Sequence, residues 1–260
     1  MKQYLEVKEE YENYILLYRL GDFYECFFDD ALIASRELEL TLTGRDCGNG
    51  NRAAMCGVPF HKADVYVARL VEKGYKVAIC EQVEDPKAAK GLVKRDVVRV
   101  ITPGTVVDHT VLDETKNNYI LSVYSSNSGY GIAVCDVTTG EFQTTEFGSV
   151  QAAAKILDET ARFSPAELIC NTEFLGSPLA KEIEQRFRLY LNDIDSRMYD
   201  YNTAKDALQN HFKVKTLEGF GLKKKLLATA ASGALMWYLN ETQKNDLSHI
   251  SSLKYYTTGD

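Results

Sequence analysis

Two side chains near the amino terminus, an aromatic ring and a carboxylate, are spaced so that they share one face of a strand. The segment Phe23–Phe27 reads Phe-Tyr-Glu-Cys-Phe and directly follows the turn pair Gly21-Asp22. Residues alternate between two faces in an extended chain, so Phe23 and Glu25 project together, where a ring can stack and a carboxylate can accept hydrogen bonds. An unpaired ionised glutamate is costly in a dry core, which favours an open face at the Phe23 end. The same spacing also fits an aromatic residue in the core and a glutamate at the edge of a sheet. Spacing alone therefore does not indicate a function.

A second group of carboxylates allows a different chemistry, metal-dependent cleavage of a phosphodiester. Asp136 ends a predicted strand beside the turn pair Thr139-Gly140 and could anchor a two-metal nuclease. The carboxylates that could share such a site with it are Glu146, Asp158, Asp193 and Asp195. The simpler interpretation, which we favour, is that Asp136 caps the turn.

Other kinds of site are not indicated. A phosphate-binding P-loop needs a Gly-Lys dipeptide, and the chain contains none. Gly48–Ala53 fits the glycine spacing of a dinucleotide site, but Gly57 and Pro59 follow where a helix is required. The four histidines stand far apart, which argues against zinc. The six cysteines form no C-x-x-C pair, so we expect reduced, buried thiols.

Composition places the chain among soluble globular proteins of about two domains. It has 260 residues, of which 45% are hydrophobic and 26% charged, which excludes disordered and fibrous classes. The net charge of −7 argues against general binding of polyanions, so any contact with nucleic acid must be local. No apolar run reaches the roughly 18 to 20 residues of a membrane span, and no secretory signal is recognisable. We expect a cytosolic protein without a membrane partner.

Helices and strands alternate along the chain, which predicts an α/β fold for both halves. In the first half the predicted helices are 1–12, 29–40 and 62–73, and the predicted strands are 14–20, 23–27, 53–56, 75–83 and 97–101. A glycine-rich loop is predicted over 44–51. In the second half the predicted strands are 119–124, 130–137, 141–147 and 166–170, and the predicted helices are 150–161, one opening at Ser177-Pro178, 196–212 and 222–243. The first three of these strands form an antiparallel meander.

The polar, acidic stretch 105–117 is the predicted linker between the halves. We therefore expect one domain over 1–113 and a second over 114–250. Residues 251–260 end without a domain stop, which suggests that the chain leads into a further domain and is a truncation.

Several motifs occur together in one order. Tyr18–Glu25 reads YRLGDFYE, and it is followed by CGVPFH at 56–61, VAICEQ at 77–82 and VVRVITPGT at 97–105. These blocks closely resemble those of the MutS family of DNA mismatch-recognition proteins. The second half, with GIAVCD at 131–136, TGEF at 139–142 and LNETQ at 239–243, is similar to that family's connector domain. The resemblance covers essentially the whole chain.

The resemblance implies a fold and a mode of recognition. The first domain would be a mixed-sheet α/β mismatch-binding domain and the second an RNase H-like α/β connector. Phe23 would enter the minor groove and stack on a mispaired base, and Glu25 would hydrogen-bond that base. Four basic side chains are candidates for contacts with DNA phosphates: Arg45, which the resemblance favours, Arg52, Lys94 and Arg95.

The resemblance also implies partners and a limit to the chemistry. The connector would help to receive the downstream partner MutL, and longer relatives form homodimers, whereas this chain is expected to be a monomer. ATP and Mg²⁺ belong to an ATPase domain of the longer relatives, so we expect no cofactor, no metal and no catalysis here. The implied location is the bacterial cytoplasm, in association with the nucleoid. The alternative function from another class is the metal-dependent nuclease on the second domain.

Overall fold

The computed structural model describes residues 1–48, 51–84, 93–105, 117–243 and 247–258. They form two compact units, which we call unit 1 (Met1–Pro103) and unit 2 (Gly104–Asp260). Each unit contains one six-stranded mixed sheet with helices packed on it. The expected pair of α/β domains is thus confirmed. Most of the predicted linker, residues 106–116, lies outside the described residues.

Among its described residues, unit 1 has three α-helices and six strands. The helices are α1 (Lys2–Glu10), α2 (Phe28–Leu38) and α3 (Ala63–Glu72). The strands are β1 (Ile15–Leu20), β2 (Phe23–Phe27), β3 (Thr43–Asp46), β4 (Arg52–Pro59), β5 (Val77–Gln82) and β6 (Arg95–Ile101). Their order in the sheet is β3-β4-β2-β1-β5-β6. Only the β1–β5 pair among these neighbours is parallel, so the sheet is mixed.

The prediction of a loop over 44–51 is wrong at its start. Thr43–Asp46 forms β3, which pairs in antiparallel fashion with β4 from Met55 back to Arg52. The segment lacks the apolar alternation of a half-buried strand, and its extended form comes from backbone pairing with β4. Cys47 follows this strand and is exposed, unlike the other five cysteines, which are buried.

One face of the unit 1 sheet is covered by α1 through Tyr4. The Tyr4 side chain is buried, and its ring meets Tyr18 edge-on at 5.4 Å and Phe27 at 5.0 Å between centroids. Edge-to-face rings at this separation add to the stabilisation from burial alone. Phe27 therefore belongs to the core, although it shares a sheet face with Phe23.

A buried acid connects α2 with α1 and β1. Asp30 is 5% exposed, and its Oδ2 accepts hydrogen bonds from the Leu16 amide at 3.0 Å and the Tyr4 hydroxyl at 3.4 Å. Lys8 Nζ lies 2.9 Å from the other oxygen, Oδ1. Lys8 also donates to the backbone carbonyl of Tyr14 at 2.6 Å. Because Asp30 is shielded from water, its carboxylate depends on these donors, and the Leu16 amide depends on the carboxylate.

Unit 2 has five helices and six strands among its described residues. The helices are α4 (Ala152–Phe163), α5 (Thr172–Leu175), α6 (Pro178–Phe187), α7 (Tyr201–Phe212) and α8 (Leu226–Gln243). The strands are β7 (Tyr119–Ser126), β8 (Gly129–Asp136), β9 (Phe142–Phe147), β10 (Glu167–Cys170), β11 (Tyr190–Asp193) and β12 (Lys254–Tyr255). No helix in the described ranges is long and apolar enough to span a membrane.

The unit 2 sheet has the order β11-β10-β7-β8-β9-β12. The meander β7-β8-β9 is antiparallel, β10 pairs parallel with β7, and β11 pairs parallel with β10. This arrangement confirms the RNase H-like fold expected for the second half. The edge strand β12, parallel to β9, was not predicted, because a two-residue strand carries no periodicity.

Close packing fixes α8 against the sheet. A Cβ atom at Gly131 in β8 would lie 2.0 Å from the Leu227 carbonyl oxygen, so only glycine permits this approach. Glu146 accepts hydrogen bonds from the amides of Leu227 at 2.9 Å and Ala228 at 3.1 Å, which caps the helix.

The predicted helix 196–212 is two helices in the structure, a short 3-10 helix over Ser196–Tyr199 and α7. They are separate because the Asp200 side chain accepts a hydrogen bond from the Asn202 amide and caps the start of α7.

Candidate nucleic-acid interface

Phe23 is presented at the beginning of β2 by a tight turn. Gly21 adopts φ +59, a left-handed conformation that glycine takes at little cost, and β1 pairs with β2 from Leu20 opposite Phe23. The Phe23 side chain is 45% exposed, whereas its neighbour Tyr24 is 7% exposed and points to the other face. The expected open end of this face is thus present, and a planar ring stands on it.

Glu25 lies beside this ring in an environment that disfavours its charge. Its Oε2 is shielded from solvent and makes no hydrogen bond within the described residues. Arg45 Nη1 is 3.7 Å from that oxygen, too far for a hydrogen bond but close enough for charge attraction. Burial raises the pKa of the Glu25 carboxyl above its ordinary value, and Arg45 opposes the rise.

Gly57 provides the space that Glu25 occupies. It pairs with Glu25 across the β2–β4 ladder, and a Cβ atom there would lie 3.2 Å from Glu25 Cγ and 3.2 Å from the Tyr24 carbonyl oxygen. The same atom would lie 3.7 Å from Phe23 Cδ1. The motif at 56–61 contains this glycine, but the sequence did not indicate which residue it faces.

Replacing Gly57 with alanine is expected to displace Glu25 and the Phe23 ring while the fold is kept. The added methyl group meets a backbone oxygen that cannot move freely, so overpacking should lower the free energy of unfolding by about 1 kcal/mol. Amide NMR shifts at Phe23 and Glu25 should change more than those elsewhere in unit 1. Gly148→Ala is the control, because a Cβ atom there meets nothing within 4 Å. Unchanged shifts at Phe23 and Glu25 would contradict the steric role of Gly57.

A polar cluster on the opposite face supports the turn before Phe23. Arg19 lies with its guanidinium 3.8 Å from the Phe60 ring centroid, donates to the Gly21 carbonyl at 2.5 Å, and approaches Glu81 to 3.3 Å. The Tyr24 hydroxyl donates to the same Glu81 carboxylate. Burial, together with this bond, raises the pKa of Tyr24 to about 12, so the hydroxyl remains a donor at neutral pH. The sequence motifs contained these residues without revealing this arrangement.

The four basic candidates are placed in different ways. Arg45 and Arg52 are exposed on the neighbouring strands β3 and β4, and only Arg45 approaches Glu25. Lys94 is exposed just before β6, which is the far edge of the sheet. Arg95 donates to the carbonyls of Arg19 at 2.8 Å and Val93 at 3.0 Å. Its bonds inside unit 1 favour a positioning role over a phosphate contact.

Three of the acidic side chains that could have formed a metal site, Asp136, Glu146 and Asp195, accept hydrogen bonds within unit 2. Asp136 is buried and its Oδ1 accepts from the Thr138 amide at 2.8 Å, which agrees with the favoured turn-capping interpretation. Glu146 caps α8, and Asp195 Oδ1 accepts from the Arg197 amide at 2.9 Å. Within the described ranges, no three His, Cys, Asp or Glu side chains form a group that could hold a metal ion.

Comparison with known proteins gives two family matches and many relatives. The sequence models of MutS domain I and MutS domain II match residues 1–110 and 118–251, respectively. The "DNA mismatch repair protein MutS" of Ruminiclostridium cellulolyticum is 55% identical over 98% of this chain. The proteins of the same name from Acetivibrio thermocellus and Lachnoclostridium phytofermentans are 52% and 48% identical over 98% and 99% of it. The chain spans 28% to 29% of the length of these relatives. It is a member of the MutS family.

Proposed function

We propose that this chain recognises mispaired or unpaired bases in duplex DNA by inserting Phe23, as the step that initiates mismatch repair. The observation that carries the proposal is the 45% exposed Phe23 ring beside Glu25, at the open end of a sheet face. Family membership supports it, because the relatives are named for mismatch repair. The proposed act is binding, without catalysis by this chain.

Selectivity in this proposal comes from the cost of deforming DNA. Inserting a ring into the minor groove unstacks a base step and bends the duplex, at a cost of a few kcal/mol. That cost is lower where pairing is already broken. Stacking on an aromatic ring contributes about 1 to 3 kcal/mol for any base, which suits a protein that must accept many different mismatches. Phe23 therefore responds to deformability more than to base identity.

The test is the ratio of two affinities. We expect this chain to bind a 20-base-pair duplex with a central G·T mismatch about 5- to 150-fold more tightly than its paired control, the range that the stacking energy supplies. Fluorescence anisotropy at low salt keeps weak phosphate contacts measurable. Equal affinities for the two duplexes would contradict the proposal for this chain.

Glu25 has a further role in the proposal, which is to penalise intact duplex. Its charge repels phosphates, so its presence near DNA is favourable only when it contacts a displaced base. We therefore expect Glu25→Gln to bind paired DNA more tightly at neutral pH, by several-fold, with anisotropy as the measurement. Glu37→Gln, which changes a partly buried, salt-bridged acid of the same unit, is the charge-matched control. If Glu25→Gln binds paired DNA with the affinity of the parent chain, the proposed repulsion is contradicted.

The same repulsion has a pH dependence whose sign follows from the burial of Glu25. Since burial raises the pKa of this carboxyl, the neutral form begins to accumulate at a higher pH than for an ordinary glutamate. Affinity for paired DNA should increase as the pH falls from neutrality toward that raised pKa. In Glu25→Gln this part of the increase should be absent, because no proton is taken up at position 25.

The wider assignments extend the proposal beyond unit 1. We propose that unit 2 helps to receive MutL, since this unit contains the match to MutS domain II. Homodimer formation and the use of ATP and Mg²⁺ are proposed for the longer protein, and a cytoplasmic location follows from a role on bacterial DNA. Arg45, Arg52 and Lys94 remain proposed phosphate contacts, with Arg45 first because it lies beside Glu25, and Arg95 is proposed as a positioning residue.

A further inference from the structure

A pocket in unit 2 concentrates positive charge in a chain whose net charge is −7. Its volume is about 330 Å³. Its walls come from α7, from the loop after α7 and from the segment before α8. The ionisable lining side chains, apart from one tyrosine, are Lys205, Lys215, Glu218, Lys223 and Lys224.

The charges of these side chains do not cancel. Glu218 is the acid among the lining residues, and its Oε1 lies 3.3 Å from Lys223 Nζ. Across the described part of the chain, Lys205, Lys215 and Lys224 have no carboxylate oxygen within 4 Å. Four positive charges and one negative charge leave the pocket with three positive charges. A concave surface with an excess of one sign of charge focuses its field and attracts counter-ions.

The backbone segments that bear these lysines are fixed by separate structural features. Lys205 is on α7. The Asp200 side chain caps this helix by accepting hydrogen bonds from the Asn202 and Thr203 amides at 3.0 and 3.1 Å. The walls between the lysines are anchored by Leu217 and Leu222, which are 8% and 3% exposed. Lys224 adopts φ +58, a conformation that a side chain other than glycine takes only at a cost. The fold therefore keeps Lys224 at the pocket in a strained backbone conformation.

We propose that this pocket binds a phosphate ester, either in a DNA backbone or in a free nucleotide. Ammonium groups are compact point charges that suit a tetrahedral anion, whereas a planar carboxylate is matched better by arginine. The volume lies at the lower end of the range for small-molecule sites, which fits one or two phosphates with an attached sugar. Tyr201 at the pocket adds a ring for the organic part. The inference is independent of the proposed role of Phe23.

The experiment compares two variants with equal loss of charge. The pocket variant carries Lys205→Gln, Lys215→Gln and Lys224→Gln, which keep a polar side chain only one atom shorter and remove the charge. The control variant carries Lys155→Gln, Lys181→Gln and Lys254→Gln, which lie outside the pocket in the same unit. Two probes are used. Binding of inorganic pyrophosphate is measured by calorimetry and by amide NMR shifts. Binding of a fully paired 20-base-pair duplex is measured by anisotropy over a salt series. Circular dichroism verifies that both variants are folded.

We expect the parent chain to bind pyrophosphate with shifts at Thr216, Leu217 and Leu222, and the pocket variant to lose at least 10-fold in affinity while the control variant does not. If the site takes a DNA backbone, the slope of log affinity against log salt should fall by up to about 0.9 for each lysine removed. If the pocket variant loses affinity for pyrophosphate alone, the site binds free phosphates. If it loses affinity for DNA alone, the site binds the DNA backbone. Equal behaviour of pocket and control variants with both probes overturns the site. These variants leave Phe23 intact, so their result is separable from the G·T preference.

Discussion

Phe23→Ala is expected to lose the preference for mismatched over paired DNA. The variant removes the ring that would stack on the displaced base, and with it about 1 to 3 kcal/mol, which corresponds to about 5- to 150-fold in affinity for the mismatched duplex. Affinity for paired DNA should change little, because the ring does not insert where the deformation is too costly. Anisotropy with a G·T duplex and its paired control at low salt measures both quantities.

The stability of the variant should remain that of the parent, which separates recognition from folding. The Phe23 side chain is 45% exposed and lies outside the unit 1 core, so its removal leaves no cavity. Phe28→Ala is the matched control, since Phe28 is 40% exposed but stands at the start of α2. Phe28→Ala should retain the mismatch preference. A Phe23→Ala variant that keeps the parent's preference would contradict the assignment of this residue.

Asp30→Ala is expected to destabilise unit 1 by about 3 to 5 kcal/mol, because it removes the carboxylate of a buried ion pair and the acceptor of a buried amide. Lys8 loses a carboxylate at 2.9 Å, and the buried amide of Leu16 loses its side-chain acceptor. Native-state hydrogen exchange measures the effect at the amides of β1 and β5, such as Leu17 and Ile79. Their protection should fall by at least about 100-fold, since each 1.4 kcal/mol is a factor of ten.

Two internal references accompany this measurement. Asp29→Ala removes the exposed neighbouring acid in the same first turn of α2, and it should cost only the helix-end contribution, about 0.3 to 1 kcal/mol. Amides of α8 in unit 2, such as Leu235, belong to a separate core and should keep their protection in both variants. Equal loss of protection in Asp29→Ala and Asp30→Ala would show that the buried pair is not responsible.

Local patterns predicted most elements of the fold. The alternating and helical periodicities placed strands over 14–20 and 23–27 and a helix over 62–73, close to β1, β2 and α3. These elements bury one face, and burial imposes a period that can be counted. β3 and β12 were missed because they are defined by pairing with β4 and β9, which leaves no local pattern.

The sequence predicted the shared face of Phe23 and Glu25 in the candidate site, but not which basic side chains have partners inside the unit. The period of a strand placed Phe23 and Glu25 on one face, and the motif around them pointed to the family. Arg95 was predicted as a phosphate contact, but hydrogen bonds to the Arg19 and Val93 carbonyls engage it within the unit. Nothing in the spacing of residues 19 and 95 indicates that they are neighbours, since β5 and β6 must first pair.

Motifs and local periodicity are enough to predict the family of this protein, the alternation of its elements and the shared face of Phe23 and Glu25, because each depends on residues close together in the chain. Three features emerge only from the folded chain: Gly57 makes room for Glu25, Arg45 approaches Glu25 to 3.7 Å, and Phe27 is buried while Phe23 is exposed. These facts depend on the register of neighbouring strands and on which part of a sheet a helix covers. Both are set by contacts between distant segments, which no local pattern encodes.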